Sequence, residues 1–293
     1  MYKYKIAQLI VEFVGEIDDT VIQKCNPYKC DDSEITDVTI NVHICDQRFE
    51  TPDADSTYGS GDEFWYQQGE HLYEYLLPDD QSRFLVKIDY YNNGKNVDVY
   101  MFDAKKYYGY DVSSYLSNTL SLSFHYIALL NNRLVLHSSS VATDGFGVAF
   151  SADSGVGKST HTSLWINHVK NCIYINDDTP IIFKKNDEVY ICGTPFAGST
   201  GINTNIMVPL KAIVFLKRGK TNSIKKLDTS AALKYMMSQL AQPSAGEYFD
   251  KMLSILSDIL SSVPVYELAC NMEYDAVKTS YEGIFNKPLI KSN

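Results

Sequence analysis

With 293 residues, 45% of them hydrophobic and 21% charged, the chain is long enough for one large or two modest domains with a sizeable core. A formal net charge of −10 argues against non-specific binding to nucleic acid or to an anionic membrane, so neither is expected as a partner.

Residues 1–115 read as a β-rich N-terminal region. Strand-like runs cover Tyr4–Phe13, Ile35–Cys45, Phe84–Tyr91 and Asn96–Phe102. The first is too short and too alternating to cross a membrane or to form the apolar part of a signal peptide. Asn92-Asn93-Gly94 is a strong hairpin turn between the last two. Thr51–Asp62, rich in Asp, Ser, Gly and Pro, reads as a loop. Cys25, Cys30, His43 and Cys45 can be drawn as a zinc site, but their spacing fits the usual knuckles poorly, and free thiols are expected. Six cysteines, beside the nucleotide motif described below, suggest a reducing, cytoplasmic setting. The region is rich in tyrosine: Tyr90, Tyr91, Tyr100, Tyr107, Tyr108 and Tyr110. A tyrosine-rich β surface suits recognition of a peptide or protein, while tyrosines also simply favour strands; both readings stay open. A helical run, Asp111–Leu130, follows, with Tyr115, Leu116, Leu120, Phe124 and Ile127 at helical intervals.

Residues 116–293 form the expected catalytic domain, and every candidate catalytic residue lies after Leu130. Asn131-Asn132 reads as a turn into a strand that carries His137. Asp144-Gly145 reads as the turn of a hairpin, Val141–Asp144 with Gly145–Phe150. The strand Phe146–Phe150, the small-residue loop Ser151–Gly157 and a helix to His168 opened by Lys158-Ser159-Thr160 have the order of a phosphate-binding loop. Glycines let successive backbone N–H groups point at phosphate oxygens, and the helix N-terminus adds partial positive charge. Ser154, Gly155, Val156, Gly157, Lys158, Ser159 and Thr160 are therefore the nucleotide-binding candidates. Lys158 reaches the β- and γ-phosphates of ATP, and Ser159 can ligate Mg²⁺. One position departs from the G-x-x-x-x-G-K-[ST] pattern: Ala152 stands where the first glycine belongs, and alanine tolerates positive φ less well.

Cys172–Asp178 is a short β-branched and aromatic strand that ends in two carboxylates, as a Walker-B strand does. Only one helix fits between it and the loop, so Asp177 and Asp178 come from the very next strand, unlike the acidic strands of ABC-type and RecA-type ATPases. Asn176-Asp-Asp-Thr-Pro180 is also good turn chemistry. One aspartate would take the acceptor's hydroxyl proton and the other hold Mg²⁺; the working assignment makes Asp177 the base and Asp178, with Ser159, the metal ligands. His137 would steady the transferring phosphoryl group or orient an aspartate. Further strands are expected at Ile181–Lys184 and Val189–Cys192, joined by the turn Lys185-Asn186-Asp187, and at Leu210–Leu216 and Val263–Ala269, and helices at Ser230–Leu240, Tyr248–Leu260 and Tyr274–Phe285. Asn203 and Asn205 sit in a Gly/Ser/Thr-rich loop where they could close over the nucleotide. Lys217–Lys220 and Lys225-Lys226 flank a turn and read as solvated hairpin tips, with contact to a substrate phosphate as the alternative.

The segments His137-Ser-Ser-Ser140, Ala152–Ser159 and Asp177-Asp178, in this order and near these spacings, resemble the C-terminal catalytic domain of HPr kinase/phosphorylase. The closer similarity is to the HPr-kinase-like serine kinases that lack the HPr-specific parts. It continues through Gly193–Gly198, Asn203–Asn205, Pro209–Leu216 and Val263–Leu268, and so spans residues 120 to 293. The resemblance implies an α/β (α+β) fold with a mixed sheet, a P-loop kinase domain of the HPr-kinase and phosphoenolpyruvate-carboxykinase type. It implies ATP and Mg²⁺ as cofactors and a serine hydroxyl as acceptor. Some relatives phosphorylate a serine of a peptide natural-product precursor, and others act on free serine. HPr kinases form hexamers, which makes a homo-oligomer an implied state. Two departures narrow the carry-over. Thr160 stands where HPr kinases carry Glu in the active-site carboxylate set, so the reverse, phosphorolytic reaction is not expected. The Gly-Arg-Asn loop and signature segment that handle HPr have no copy here, so HPr is a poor acceptor. Two alternatives remain: a small-molecule kinase acting on free serine, and an inactive nucleotide-dependent module that binds a peptide.

Overall fold

In the computed structural model, β1 (Tyr2–Ile6) and β2 (Leu9–Gly15) pair antiparallel through a two-residue turn at Ala7 and Gln8. Both turn residues take positive φ, 48° and 66°, the conformation that tight hairpins require. The single strand expected over Tyr4–Phe13 is therefore a hairpin. Neither turn residue is Gly, Asn or Asp, so the usual signal for such a turn is missing. The structure describes residues 2–52, 57–60, 63–80, 83–103, 105, 113–241, 243 and 246–290. They fall into two units, Met1–Asn131 with Pro243–Asp250, and Asn132–Gln242 with Lys251–Asn293. Each is built on its own mixed sheet. No helix among the described residues is long and apolar enough to cross a membrane.

The first unit continues with α1 (Asp19–Cys25), which the sequence did not announce. The Asp18 carboxylate caps it by accepting from the backbone N–H groups of Thr20 and Val21. Then come β3 (Val38–Cys45), β4 (Phe49–Glu50), β5 (Thr57–Ser60), β6 (Glu63–Gln68), β7 (His71–Asp80), β8 (Arg83–Tyr91), β9 (Asn96–Phe102) and α2 (Ser113–Leu130). The strand order is β1-β2-β3-β9-β8-β7-β6-β5, with β4 added on β8. Among the described pairs, β2–β3 and β3–β9 are parallel. The Asn92-Asn93-Gly94 turn joins β8 to β9 with φ of 54°, 55° and 74°. The expected loop Thr51–Asp62 lies partly outside the described residues, and its described part contains β5. The first two residues of the expected helix, Asp111 and Val112, also lie outside them, as do Tyr107, Tyr108 and Tyr110.

The boundary after Asn131 differs from the break expected between residues 115 and 116. Helix α2 goes with the first sheet because its aromatic side chains pack there: Tyr126 lies 5.1 Å from the Trp65 ring and 4.8 Å from the Tyr90 ring. Tyr90 itself is core, not surface. It is 2% exposed and its hydroxyl donates to the buried Glu74 carboxylate at 2.5 Å. Tyr91, the next residue along β8, is half-buried and stacks on His71 at 5.1 Å. Tyr100 stacks on His43 at 4.8 Å. Cys25 is buried with its thiol pushed up to about 12 by desolvation, and all six cysteines are free. Among the described residues no three His, Cys, Asp or Glu side chains group as a metal site.

The second unit comprises β10 (Leu134–Val135), β11 (Ser138–Thr143), β12 (Phe146–Ser151), α3 (Lys158–His168), β13 (Ile173–Asn176), β14 (Ile181–Lys185), β15 (Glu188–Cys192), β16 (Met207–Arg218), β17 (Ser223–Lys226), α4 (Thr229–Met237), β18 (Val265–Cys270) and α6 (Tyr274–Phe285). α5 (Gly246–Ser262) precedes β18, with Gly246–Asp250 counted in the first unit and the rest in the second. Its order is β10-β14-β15-β16-β12-β11-β13, with β18 on β16 and β17 on β18. Two tight turns stand where expected. Asp144-Gly145 joins β11 to β12 with φ of 53° and 80°, and Asn186-Asp187 joins β14 to β15 with φ of 50° and 62°. The core is centred on Trp165, fully buried against Phe150 at 5.1 Å and Tyr281 at 5.7 Å.

Glu74 in the first unit titrates late. Burial raises its carboxyl to about 8, against a lowering by the Tyr90 hydroxyl bond. Below pH 4.5 both folded and unfolded chains hold the proton. Between 4.5 and 8 only the folded chain does, so stability falls with rising pH at about 1.4 kcal/mol per unit. Glu74→Gln, which keeps an acceptor for Tyr90, should flatten this slope and raise the urea midpoint at pH 8 more than at pH 5. Equal midpoint changes at both pH values would contradict the assignment.

Candidate functional site

Strand direction explains how three separated segments meet. β11 runs antiparallel to both β12 and β13. β12 and β13 therefore point the same way with β11 between them, so the Asp pair's strand does not lie beside the loop's strand. The loop after β12 and the acidic turn after β13 emerge at one edge, and β11 starts at that edge just after His137. The register pairs Ser138 with Ser151 and Ser140 with Asn176. The carboxyl ends of parallel strands β12 and β16 open at the same place, the usual position for a ligand in such sheets. His137 is not within a strand as expected: β10 stops at Val135 and β11 starts at Ser138.

The loop has the conformation its glycines allow. Gly155 has φ of 76° and Gly157 of 124°, values that a side chain would oppose. Ala152 is buried and does not take positive φ, so its methyl group is no obstacle. Helix α3 begins at Lys158 with Gly157 at its cap and no side-chain capping bond. Its first-turn N–H groups are left to an anion. Val156 departs from expectation. Its N–H is used within the loop, bonded to Asp153 O at 3.2 Å, and its side chain packs on the core.

The acidic turn is held by Asn176. Its Oδ1 accepts from the N–H groups of Asp178 at 2.9 Å and Thr179 at 2.7 Å. Its Nδ2 donates to Thr194 O, Thr194 Oγ1 and Phe196 O at 3.0–3.2 Å. The two carboxylates then take different surroundings. Asp177 is 6% exposed, and its Oδ1 accepts from Ser139 Oγ at 2.5 Å; Ser139 Oγ lies 2.8 Å from Thr162 Oγ1 on α3. Asp178 is half-exposed, with Oδ1 3.4 Å from His137 Nε2. A Cβ on Gly198 would lie 2.9 Å from Asp178 Oδ2. Only glycine leaves that carboxylate its place.

Lys158 completes the cluster. Its Nζ lies 3.1 Å from His137 Nε2 and donates to Ala152 O at 3.1 Å. Burial lowers the pKa of His137, and the neighbouring Lys158 charge adds to this. Burial also lowers that of Lys158, opposed by Asp178 and then by Asp177 and Asp153. A cavity of about 510 Å³ is lined by Ser154, Gly155, Gly157, Lys158, Ser159 and Thr160 on the loop side and by His137, Asp177 and Asp178 opposite.

Asn203 and Asn205 are not among the residues lining this cavity. Asn203 bridges to Asn176 instead, and its neighbour Ile202 accepts from the Asp177 N–H at 3.1 Å, so this segment braces the acidic turn. The basic run Lys217–Lys220 is not a hairpin tip, because β17 pairs with β18 rather than with β16. Arg218 donates to Gly155 O at 2.6 Å, and Lys217 and Lys225 both pair with Glu267. Three contributors escaped the sequence reading: Thr162, Asp153 and Gln239. Thr162, one turn after Lys158, carried a spacing signal; Gln239 carried none.

No protein-family model matches the chain, and no curated protein does. Among solved structures the chain is similar to the Hpr(Ser) kinase/phosphatase from Coxiella burnetii. The two are 11% identical over 52% of this chain and 93% of that one, with a TM-score of 0.32. This is a weak structural similarity to a kinase/phosphatase.

The first turn of α3 is anchored by His161, which accepts from Trp165 Nε1 at 3.2 Å and packs edge-on to Phe150 at 4.7 Å. Burial pushes its pKa down to about 4. Between pH 6.5 and 4 the unfolded chain takes up a proton that the folded chain refuses, so stability falls as pH falls, by about 1.4 kcal/mol per unit. In urea titrations at pH 7 and 5, followed by tryptophan fluorescence, His161→Gln should lose this contribution, its midpoint at pH 5 rising relative to that at pH 7 when compared with the wild type, over and above the opposite slope from Glu74. A variant with the wild-type slope would rule His161 out as its source.

Proposed function

We propose that the second unit is a phosphotransferase that moves the γ-phosphate of ATP to a hydroxyl, the acceptor being a serine of a peptide or protein. The observation that carries this reading is the cluster Lys158, His137 and Asp178, with contacts of 3.1 and 3.4 Å, at the mouth of a glycine-started, uncapped helix. The serine acceptor draws on the motif resemblance of residues 120 to 293.

In this reading the triphosphate lies over the first turn of α3, where unsatisfied N–H groups meet its oxygens. The Lys158 ammonium leaves Ala152 O for the β- and γ-phosphates and neutralises charge that shifts during transfer. The Ser159 hydroxyl and the Asp177 carboxylate are hard oxygen donors, two in number, which suits Mg²⁺ completed by phosphate and water. Bound there, Mg²⁺ would offset phosphate charge. Asp178, beside His137 and Lys158, is placed to take the hydroxyl proton. This exchanges the roles of the working assignment. The reason is that Asp177 is buried and tied through Ser139 to Thr162 on the Ser159 side, whereas Asp178 stands by the cavity's cationic group. Transfer then needs little more than alignment and charge neutralisation.

Lys158→Ala should lower transfer by about 10²-fold or more, the scale of losing one preorganised charge. It should also weaken ATP binding; near wild-type turnover would remove the phosphate-loop assignment. Asp178→Asn should leave ATP affinity within a few-fold and cost about 10²–10⁴ in transfer. Asp177→Asn should instead raise the Mg²⁺ concentration needed. The opposite pattern would return the base to Asp177. A γ-labelled ATP assay against seryl peptides and against free serine decides the acceptor. Label in neither, with ATP bound, would favour a binding module.

A further inference from the structure

A second cavity, of about 800 Å³, adjoins the one at Lys158 and lies wholly within the second unit. The two share Ser154 and Gly155, so the loop is their common rim. The second is bounded by the loop, the end of β16 and α4, and none of Lys158, Ser159 and Thr160 lines it. The end of α4 is tied to the cluster across the rim. Gln239 O accepts from the His137 N–H at 3.1 Å, and Gln239 Nε2 donates to Asp153 Oδ1 at 3.2 Å.

This cavity's charge is opposite to that of the chain. Lys217, Arg218 and Lys234 line it, against the single carboxylate of Asp153 among the described residues. Lys217 pairs with Glu267, which Lys225 shares, so four cations face two carboxylates in a protein of net charge −10. Two of the cations are already ordered, Arg218 by its bond to Gly155 O and Lys217 by Glu267. Lys234 is exposed on α4 and makes no ion pair with a described residue. The wall between them is apolar, with the Phe215 and Tyr235 rings 4.9 Å apart.

A nucleotide has little use for such a place. Its phosphates are provided for at the start of α3, and a nucleobase carries no charge at neutral pH for the cations to meet. A side chain with an aliphatic stem and a carboxylate fits both the rings and the cations, and complementary charge of this kind selects partners. We propose that the cavity receives the residues beside the acceptor hydroxyl, and that the acceptor is an acidic peptide segment. The serine enters between Lys158 and Asp178, and a neighbouring carboxylate crosses the Ser154–Gly155 rim to Arg218 and Lys234. This rests on the kinase reading and adds the acceptor's chemical class to it.

The test uses two short fluorophore-labelled seryl peptides, one with glutamates flanking the serine and one with glutamines there. Binding is read by anisotropy with the full chain, Mg²⁺ and a non-hydrolysable ATP analogue. The glutamate peptide should bind about 10-fold tighter, and its advantage should shrink as salt rises. Lys234→Gln should weaken its binding about 3-fold, the range of one exposed charge pair. Lys234→Glu, which replaces attraction by repulsion, should weaken it about 10-fold. Affinity for the ATP analogue should stay within about 2-fold in both, and with γ-labelled ATP the loss should appear in the acceptor's KM. Equal binding of the two peptides, binding of neither, or a loss in Lys234→Glu that falls on the nucleotide instead overturns the inference. A glutamate peptide that binds through Lys234 but takes no label keeps the acidic-peptide site and removes the kinase.

Discussion

The site depends on one side-chain amide. Asn176 uses both ends of its amide at once, closing the acidic turn with Oδ1 and gripping the Thr194–Phe196 segment with Nδ2. It is fully buried, where an unmatched amide would be costly. This saturation fixes the backbone that follows, so the next two residues cannot share a direction. One carboxylate is driven inward to Ser139 and the other stays beside His137. The turn chemistry and the site chemistry of Asn-Asp-Asp-Thr-Pro are thus the same fact. Asn176 makes the turn, and the aspartates are what the turn presents. The close packing of the two segments shows again at Gly193, where a Cβ would lie 2.9 Å from Ile175 O.

Around that turn the strands do the collecting. An antiparallel strand between two that run together brings one strand start and two strand ends to a single edge. His137, the glycine-loop residues and the aspartates need no long excursions to meet, and each comes within a few residues of a hydrogen-bonded ladder. Such anchoring suits groups that act by position and charge. The loop is secured separately, by the Arg218 bond to Gly155 O and by the turn bond from Val156 to Asp153. The cationic end of β16 therefore works on the protein's own backbone and on Glu267, whose carboxyl is held down to about 2, chiefly by Lys217.

The first unit shows the other use of polar aromatics. Tyr90 stacks on Trp65, packs against Tyr126 and binds Glu74, so a residue suited to a recognition surface serves instead to satisfy a buried acid. Alternation along β8 was enough to separate Tyr90 from Tyr91, yet not to say which faced inward. That choice depends on β6, β7 and α2, which supply Trp65, Glu74 and Tyr126.

What the sequence determined by itself was local. Asp144-Gly145, Asn186-Asp187 and Asn92–Gly94 are turns because their residues tolerate positive φ, and Gly155, Gly157, Lys158 and Ser159 make a strand–loop–helix junction suited to an anion. The first hairpin was hidden for the same reason, since Ala7 and Gln8 take positive φ without the residues that advertise it. Tertiary structure alone decided partnership across long separations. It set β11 between the loop strand and the acidic strand, gave Asp177 to Ser139 and Asp178 to His137, moved Asn203 from the cavity to the Asn176 bridge, and placed Gln239 behind the histidine. Turn conformation is a property of one or two residues and their own sterics, so it is legible in order. A hydrogen-bond partner is whichever group the folded backbone brings within about 3 Å, and that distance exists only once the sheet has closed.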